Sequence, residues 1–350
     1  MSRLLQEISL PQSTNPMFCD RYGTCACDIA KRQLFKITQR PIKPFLEKLN
    51  SGVEERRLEE VCMKIFNKTV FLLIALLSIT LVGGVSFAHF QMIYTPKSAL
   101  TTDEPGKINL LVVFTHPFEA GHTMDMGADE SGKITPPAAF GVMTFDKKAD
   151  KMVKTDLLKE LKPVEFTSLT NKGKGYALEH KIGGIGDFVF YLDPAPYYDK
   201  TEDRYMRQIT KVIVNRGGAP SAWDKAVELD AEIVPLDKPY ALWTGNLFRG
   251  VVMKKEGDKM VPVPDAEIEV EFLNHDIKGN AFAKQEKVKA PQDAFVTQTI
   301  KANAQGEFAY ALPKAGWWGF SALGAGGEVK NQGKPMGVDA VIWVQAQDMK

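Results

Sequence analysis

The stretch PDAEIEVEFL constrains the fold most, because its apolar and acidic residues alternate one by one. Side chains on an extended chain point to opposite faces with a period of two, so the apolar residues share one face and the three glutamates share the other. The apolar face consists of Ala266, Ile268, Val270 and Phe272. We therefore expect a strand with one face in a core and the other in water.

The chain after His89 repeats short strand-like segments separated by Gly and Pro turns, with only brief helical candidates such as residues 154–161. A hairpin is predicted to turn at Gly257-Asp258. We expect an all-β protein with two β-sandwich-like domains, which 350 residues can accommodate. The boundary is placed near Leu236, between an N-terminal β domain at 89–236 and an immunoglobulin/prealbumin-like sandwich at 237–350.

A targeting segment is predicted at residues 63–88. It has Lys64 and Lys68, then an uncharged apolar run from Val70 to Val82, then small residues ending at Ala88. The apolar run is shorter than the roughly 20 residues of a spanning helix. We expect a signal peptide cleaved after Ala88, a periplasmic or other extracytoplasmic location, and no stable membrane span after cleavage.

Residues 1–62 are interpreted as an upstream extension that is either disordered or the product of a mis-assigned start. The sequence EEVCM at residues 59–63 can be back-translated to a purine-rich ribosome-binding site followed by a start codon at Met63. All four cysteines lie before the apolar run, so the exported part has no thiol. With 44 basic and 43 acidic residues and no basic cluster, the sequence gives no reason to expect a nucleic-acid partner.

Cleavage after Ala88 would make His89 the first residue of the mature protein. Its α-amine and ring Nδ1 could then close a six-membered chelate on one metal ion. The reference pKa of an α-amine is about 7.7–8.0, so this amine loses its proton to a metal near neutral pH. His116, which ends the apolar face of the segment 108–114, or His122 would add a second imidazole and complete a histidine brace.

The segment THPFEAGHTMDMG places further donors beside these histidines, namely Glu119, Met124 and Met126. Imidazole and amine nitrogens suit nickel, cobalt, copper or zinc, while thioethers favour copper(I), so the donors do not select one metal. Other interpretations stay open. His116 can be a structural histidine, His122 a solvated loop residue, and the methionines core residues.

Motifs for enzymatic chemistry are missing from the exported sequence, which has no G-x-S-x-G, no H-E-x-x-H and no cysteine nucleophile. We therefore expect a protein that is not an enzyme. Two alternatives to a metal carrier remain: a copper oxidase that uses the brace, for which Tyr197, Tyr198, Trp317 and Trp318 could form a carbohydrate platform, and a metal-free binding or adhesion module.

Several blocks from His89 to Lys350 resemble a family of exported proteins of unknown function that is associated with energy-coupling-factor transporters for nickel and cobalt. The most specific blocks are THPFE and AGWWGF. The resemblance implies an accessory protein for metal uptake, with His89 and His116 as the matching ligands, nickel as the first candidate metal, and membrane transporter components as partners. The last third is similar to carboxypeptidase-regulatory β-sandwich modules, which carry no catalysis.

Overall fold

The computed structural model describes residues 89–349, so the predicted extension at 1–62 and the predicted signal peptide at 63–88 lie outside the described residues. Residues 89–349 form 23 strands and two 3-10 turns, Leu158–Glu160 and Asp293–Phe295, without an α-helix. This confirms the all-β prediction. The strands are β1 (Phe90–Tyr94), β2 (Ala99–Leu100), β3 (Lys107–Thr115), β4 (Thr123–Met124), β5 (Ala139–Asp146), β6 (Lys151–Asp156), β7 (Lys162–Thr167), β8 (Lys172–Lys181), β9 (Gly186–Asp193), β10 (Tyr197–Asp199), β11 (Arg204–Arg216), β12 (Ala231–Pro235), β13 (Leu242–Trp243), β14 (Leu247–Glu256), β15 (Lys259–Pro262), β16 (Glu267–Phe272), β17 (His275–Lys278), β18 (Ala281–Glu286), β19 (Gln298–Lys301), β20 (Glu307–Ala311), β21 (Gly316–Ala322), β22 (Glu328–Asn331) and β23 (Lys334–Gln347).

The strands form three sheets in a sandwich-like arrangement. A twelve-stranded sheet has the order β19-β16-β21-β23-β11-β9-β5-β6, in which β2 and β10 also pair with β11, and β13 and β22 also pair with β23. A seven-stranded sheet, β1-β3-β8-β7-β18-β17 with β4, and a four-stranded sheet, β12-β14-β15 with β20, complete the fold. The immunoglobulin-like detail of the last third stays a prediction.

The twelve-stranded sheet contributes to two hydrophobic cores, because its central strands are apolar on both faces. On β11, Ile209 and Ile213 lie in one core, while Val212 and Val214 lie in the other. The first core also contains side chains of the four-stranded sheet, such as Phe248. The second contains the side chains of β1 and β3 from the seven-stranded sheet. Strand β1 is thus built into the second core.

The alternation predicted for β16 is confirmed on the apolar face, while on the acidic face it holds for the exposed Glu267 and is wrong for Glu271. Ala266, Ile268, Val270 and Phe272 are all buried. Glu271, however, is only 2% exposed, and its carboxylate accepts hydrogen bonds from Thr297 Oγ1 and Phe118 N. Burial, with nearby Asp339, also raises the pKa of Glu269 to about 7. The loop that contains Phe118 covers Glu271, so this part of the acidic face is not exposed to water.

The helical candidate at 154–161 is also wrong. Strand β6 occupies its first half and pairs with β5, and a single 3-10 turn follows. By contrast, the hairpin predicted at Gly257-Asp258 is confirmed by the antiparallel pair of β14 and β15, which closes at Glu256 and Lys259.

Strand β12 ends at Pro235, one residue before the predicted domain boundary at Leu236. Strands from both sides of this residue lie in the twelve-stranded sheet, where β11 and β23 run parallel from Tyr205↔Met336 to Val212↔Trp343. The division into two domains stays a prediction. Within residues 89–349, we find no helix with the length and apolar character needed to cross a membrane.

Candidate functional site

The loop after β3 brings His116 and His122 together. Strand β3 ends at Thr115, and β4 returns antiparallel with Thr123 opposite Thr115. The loop is closed by a hydrogen bond from His116 N to His122 O at 3.2 Å, and Ala120 turns the chain with a φ of 52°. The two imidazole ring centres lie 6.1 Å apart.

Backbone and side-chain groups of the segment 168–171 hold this loop in place. Asn171 accepts a hydrogen bond from Thr123 N and donates one to Thr123 O, both at 2.9 Å. Thr170 Oγ1 donates to Gly121 O, and Leu169 N donates to Ala120 O. The histidine loop is therefore fixed at both its backbone closure and its tip.

The register of β1 places His89 beside His116. Strand β1 pairs antiparallel with β3, with Phe90 opposite Thr115, so the next pair outward is His89 with His116. Side chains at directly opposed positions have Cβ atoms about 4.5–5.5 Å apart. The ring centres of His89 and His116 lie 4.7 Å apart, with the rings nearly perpendicular.

This spacing fits two imidazoles on one metal ion. Imidazoles bound through bonds of about 2.0–2.1 Å have ring centres roughly 4.5–6.5 Å apart, depending on the angle at the metal. Both the 4.7 Å and the 6.1 Å separations fall in this interval. The arrangement can thus hold an ion between neighbouring rings after small side-chain rotations.

Asp199 orients His89 from the end of β10. Its Oδ2 lies 3.4 Å from His89 Nε2, and its Oδ1 accepts the backbone N–H groups of Thr201 and Glu202. Asp199 is 4% exposed, so the carboxylate has little freedom to turn away. With Nε2 directed at this carboxylate, the other ring nitrogen, Nδ1, is the one nearest the backbone nitrogen of the same residue.

Burial, followed by the neighbouring His89 and His122, lowers the pKa of His116 from 6.5 to about 3, while Asp199 acts in the opposite direction. A buried imidazolium would lose hydration and face two other rings that can become positive. His116 is therefore neutral at physiological pH. Neutral imidazole is the form that binds metal ions.

The three histidines line one cavity of about 510 Å³. His122 is exposed at the surface, while His89 and His116 are half-buried. Tyr197 lies inside the cavity wall, 6.4 Å from His89 between ring centres, and its pKa is raised to about 12 by burial and by nearby carboxylates. The other charged residues of the cavity are four acids and two lysines: Asp125, Asp129, Asp199, Glu202, Lys172 and Lys200.

The other predicted ligands are not all at the cavity. Met124 lines it but is 2% exposed, and Met126 is packed in the core, where its Sδ accepts a hydrogen bond from Gln91 Nε2 at 3.6 Å. Glu119 does not line the cavity, and the pKa of its carboxyl is raised by burial and by Asp293. The structure thus brings His89, His116, His122 and Met124 together and leaves Glu119 and Met126 aside.

No three His, Cys, Asp or Glu side chains in the described part of the chain are placed so that they alone could hold a metal ion. A histidine brace would use two imidazoles and the terminal amine, so it needs only two such side chains. In the uncleaved chain the nitrogen of His89 is a peptide nitrogen. Signal-peptide cleavage would convert it to the third donor.

Sequence reasoning missed Asp199 and Gln208. Gln208 Nε2 donates to the carbonyl oxygen of His89 at 2.7 Å. Both residues lie more than 100 positions after His89, in or next to aromatic and apolar strand segments. Of the two, only Asp199 could have been recognised from the sequence as a candidate site residue, because it is a carboxylate that directly follows the aromatic pair Tyr197 and Tyr198. The tryptophans 317 and 318 are both buried, which fits core packing and not a surface platform.

Most of the described chain matches one protein family. The family described as "Domain of unknown function (DUF4198)" matches residues 86–326. The chain belongs to this family. The match starts three residues before His89 and includes the histidine loop, so every element of the cavity lies inside the family region. No curated protein matches the sequence.

Solved structures with local similarity include the Yersinia pseudotuberculosis adhesin InvE, at 11% identity and a TM-score of 0.23, with 73% of this chain and 58% of that chain covered. Two others are E. coli α2-macroglobulin, at 8% identity, a TM-score of 0.18 and coverages of 75% and 14%, and latent PorU from Porphyromonas gingivalis, at 12% identity, a TM-score of 0.18 and coverages of 76% and 21%. The chain thus spans 58% of the InvE structure and less of the other two.

Proposed function

We propose that this protein is an extracytoplasmic accessory protein for nickel or cobalt uptake that binds a divalent transition metal at its mature N-terminus. The proposal rests on one observation: the register of β1 with β3 places His89 opposite His116, and their ring centres lie 4.7 Å apart in an open cavity. The metal would be held by the α-amine and Nδ1 of His89 and by the ring of His116, with His122 available as an exposed fourth donor.

The contact between Asp199 and His89 supports this donor assignment. A carboxylate that holds one ring nitrogen of a metal-binding histidine fixes the orientation of the ring and leaves the other nitrogen for the metal. Here Nε2 faces Asp199 at 3.4 Å. The remaining Nδ1 is the nitrogen that forms a six-membered chelate with the amine of the same residue.

The charge of the cavity supports a cation as its cargo. Four carboxylates and two lysines line it beside the histidines. An acidic cleft raises the local concentration of cations and speeds their association. Of the two predicted thioethers only that of Met124 lines the cavity, since Met126 Sδ contacts Gln91 in the core, so nitrogen donors outnumber sulfur donors there, which favours divalent ions over copper(I).

The rest of the chain would serve as a scaffold. A carboxypeptidase-regulatory-like sandwich in the last third would present the histidine cavity to transporter components in the membrane. Nickel is the first candidate because of the resemblance to proteins associated with nickel and cobalt transport. Cobalt, copper and zinc suit the same donors.

Native mass spectrometry of protein purified from the periplasm tests the proposal, since it reports the cleavage site and the bound metal together. We expect a mature chain that begins at His89 with one bound nickel or cobalt ion. A His180→Ala variant is the control, because His180 packs against Phe190 outside the cavity and should leave the bound metal unchanged.

Two results would contradict the proposal. Reductant-dependent oxygen consumption by the copper-loaded protein would indicate an oxidase that uses the brace. An unchanged melting temperature with nickel, cobalt, copper and zinc, together with a metal-free native mass, would indicate a binding or adhesion module without a metal.

A further inference from the structure

Gln208 of β11 contacts the first strand on both sides of its start. Its Nε2 donates to His89 O at 2.7 Å, and its Oε1 accepts from Gln91 N at 2.8 Å. The side chain is 4% exposed. One amide group therefore binds the two peptide groups that flank Phe90, as a neighbouring strand would do.

This contact is needed because β1 pairs with a strand on one edge only. Its partner in the seven-stranded sheet is β3, and its other edge faces side chains of β11 and β23. Gln91 O on that edge accepts from Trp343 Nε1 at 2.9 Å. Buried peptide groups require such partners, and here side chains provide them.

Asp339 sets the orientation of the Gln208 amide. Its Oδ2 accepts from Gln208 Nε2 at 3.3 Å, and its Oδ1 accepts from Gly324 N at 2.8 Å. With a carboxylate on one side, the amide nitrogen faces Asp339 and the carbonyl of His89, which leaves Oε1 for Gln91 N. Both residues of this pair are buried.

We propose that Gln208, oriented by Asp339, is the positioning residue that holds the mature N-terminus in its metal-binding geometry. This inference rests on the proposed function. His89 directly precedes β1: the register of β1 with β3 places it beside His116, and Gln208 Nε2 holds its carbonyl oxygen. By holding the carbonyl group of His89, Gln208 fixes the orientation of its backbone. This orientation determines where the amine and the ring of His89 point relative to His116.

A second glutamine offers a matched control. Gln345 of β23 makes the same kind of contact at the other end of β1, where Oε1 accepts from Ser98 N at 2.9 Å and Nε2 donates to Pro96 O at 3.2 Å. Neither glutamine lines the histidine cavity. Substitution of either glutamine removes one two-point contact to the N-terminal segment, but only Gln208 acts on His89.

The experiment compares Gln208→Met and Gln345→Met in mature protein that begins at His89. Nickel(II) and copper(II) affinities are measured by competition titration, the copper(II) site by electron paramagnetic resonance, and the fold by melting temperature. We expect Gln208→Met to weaken metal binding by about 10–100-fold, the range for groups that orient a ligand, and to change the copper spectrum. Gln345→Met should keep the wild-type affinity within about twofold and the wild-type spectrum, whatever its melting temperature.

Wild-type affinity and spectrum in Gln208→Met would overturn the positioning role while leaving the proposed function intact. Failure of the wild-type mature protein to bind either ion would overturn both. If Gln208→Met does not fold, Asp339→Asn decides by the same two readouts, because it removes the group that orients the amide while preserving side-chain volume. An unchanged site in that variant would also overturn the inference.

Discussion

Two of the regions with buried or half-buried histidines, those of His275 and of His116, differ in what surrounds the rings. His275, at the start of β17, is 4% exposed, and its Nδ1 contacts Ala283 O at 2.8 Å. Its ring packs beside Phe282. His116 instead lies between the rings of His89 and His122 and lines a cavity of about 510 Å³.

The comparison shows that burial alone does not distinguish a ligand from a structural histidine. His275 is buried and has a backbone partner, so its ring contributes to packing. His116 is placed by a closed loop and by the register of β1 so that a second ring faces it. Convergence of rings from two chain segments is the feature on which the proposed metal site rests.

Replacement of His116 should give the largest effect on metal affinity. We expect His116→Ala to weaken nickel(II) binding by more than ~100-fold, because loss of a ligand exceeds the loss of a group that only orients one. Isothermal titration calorimetry on the mature protein measures this. A loss below tenfold would show that His116 is not a ligand.

Replacement of Asp199 should give an intermediate effect. Asp199→Asn keeps the size of the side chain but removes the charge that faces His89 Nε2, and we expect an affinity loss of about tenfold. The same titration measures it, with Asp230→Asn as the control, since Asp230 pairs with Arg207 at 2.9 Å outside the cavity. Equal affinities in the two variants would contradict the orienting role.

The titration of His116 should make the free energy of unfolding depend on pH, because the unfolded chain binds up to one proton more than the folded chain. The folded protein holds its pKa at about 3, whereas the ordinary value is 6.5. Between these values the unfolded chain binds the proton and the folded chain does not, so the contribution of the neutral ring to stability is lost as pH falls from about 6.5 to about 3. Urea unfolding compares metal-free wild type with His116→Gln. As pH falls, the free energy of unfolding of the wild type should decrease relative to that of the variant. A difference independent of pH would contradict this account.

Replacement of His275 should have the smallest effect on metal binding. His275→Ala removes a buried ring and its contact with Ala283 O, so we expect the free energy of unfolding to fall by about 1–3 kcal/mol. Metal affinity should stay at the wild-type value. Urea unfolding and metal titration of the same variant check both statements. A large loss of metal affinity would contradict the interpretation of His275 as a structural histidine.

The sequence predicts strands well where alternation or a turn is local. The apolar face of β16 and the hairpin of β14 and β15 follow from neighbouring residues. Burial of Glu271 does not, because a loop distant in sequence contacts it through Phe118 N. The failed helix at 154–161 has a similar cause, since β6 gains its hydrogen bonds from β5.

In the candidate site, too, features set by neighbouring residues could be predicted from the sequence, and features set by distant contacts could not. His116 and His122 are close in sequence, so their approach could be expected from the loop. The position of His89 depends on the register of β1 with β3, and its orientation depends on Asp199 and Gln208. The contacts with Asp199 and Gln208 join segments more than 100 residues apart, and residue patterns carry no information on which distant carboxylate or amide will contact His89.

The central claim is that the free amine of His89 is a metal ligand. The most direct test compares nickel(II) and copper(II) affinity of the mature protein that begins at His89 with the same protein extended by one alanine before His89. The extension turns the amine into an amide and leaves every side chain in place, so we expect an unchanged melting temperature without metal and an affinity loss of more than ~100-fold. Equal affinity in the two proteins would contradict the claim.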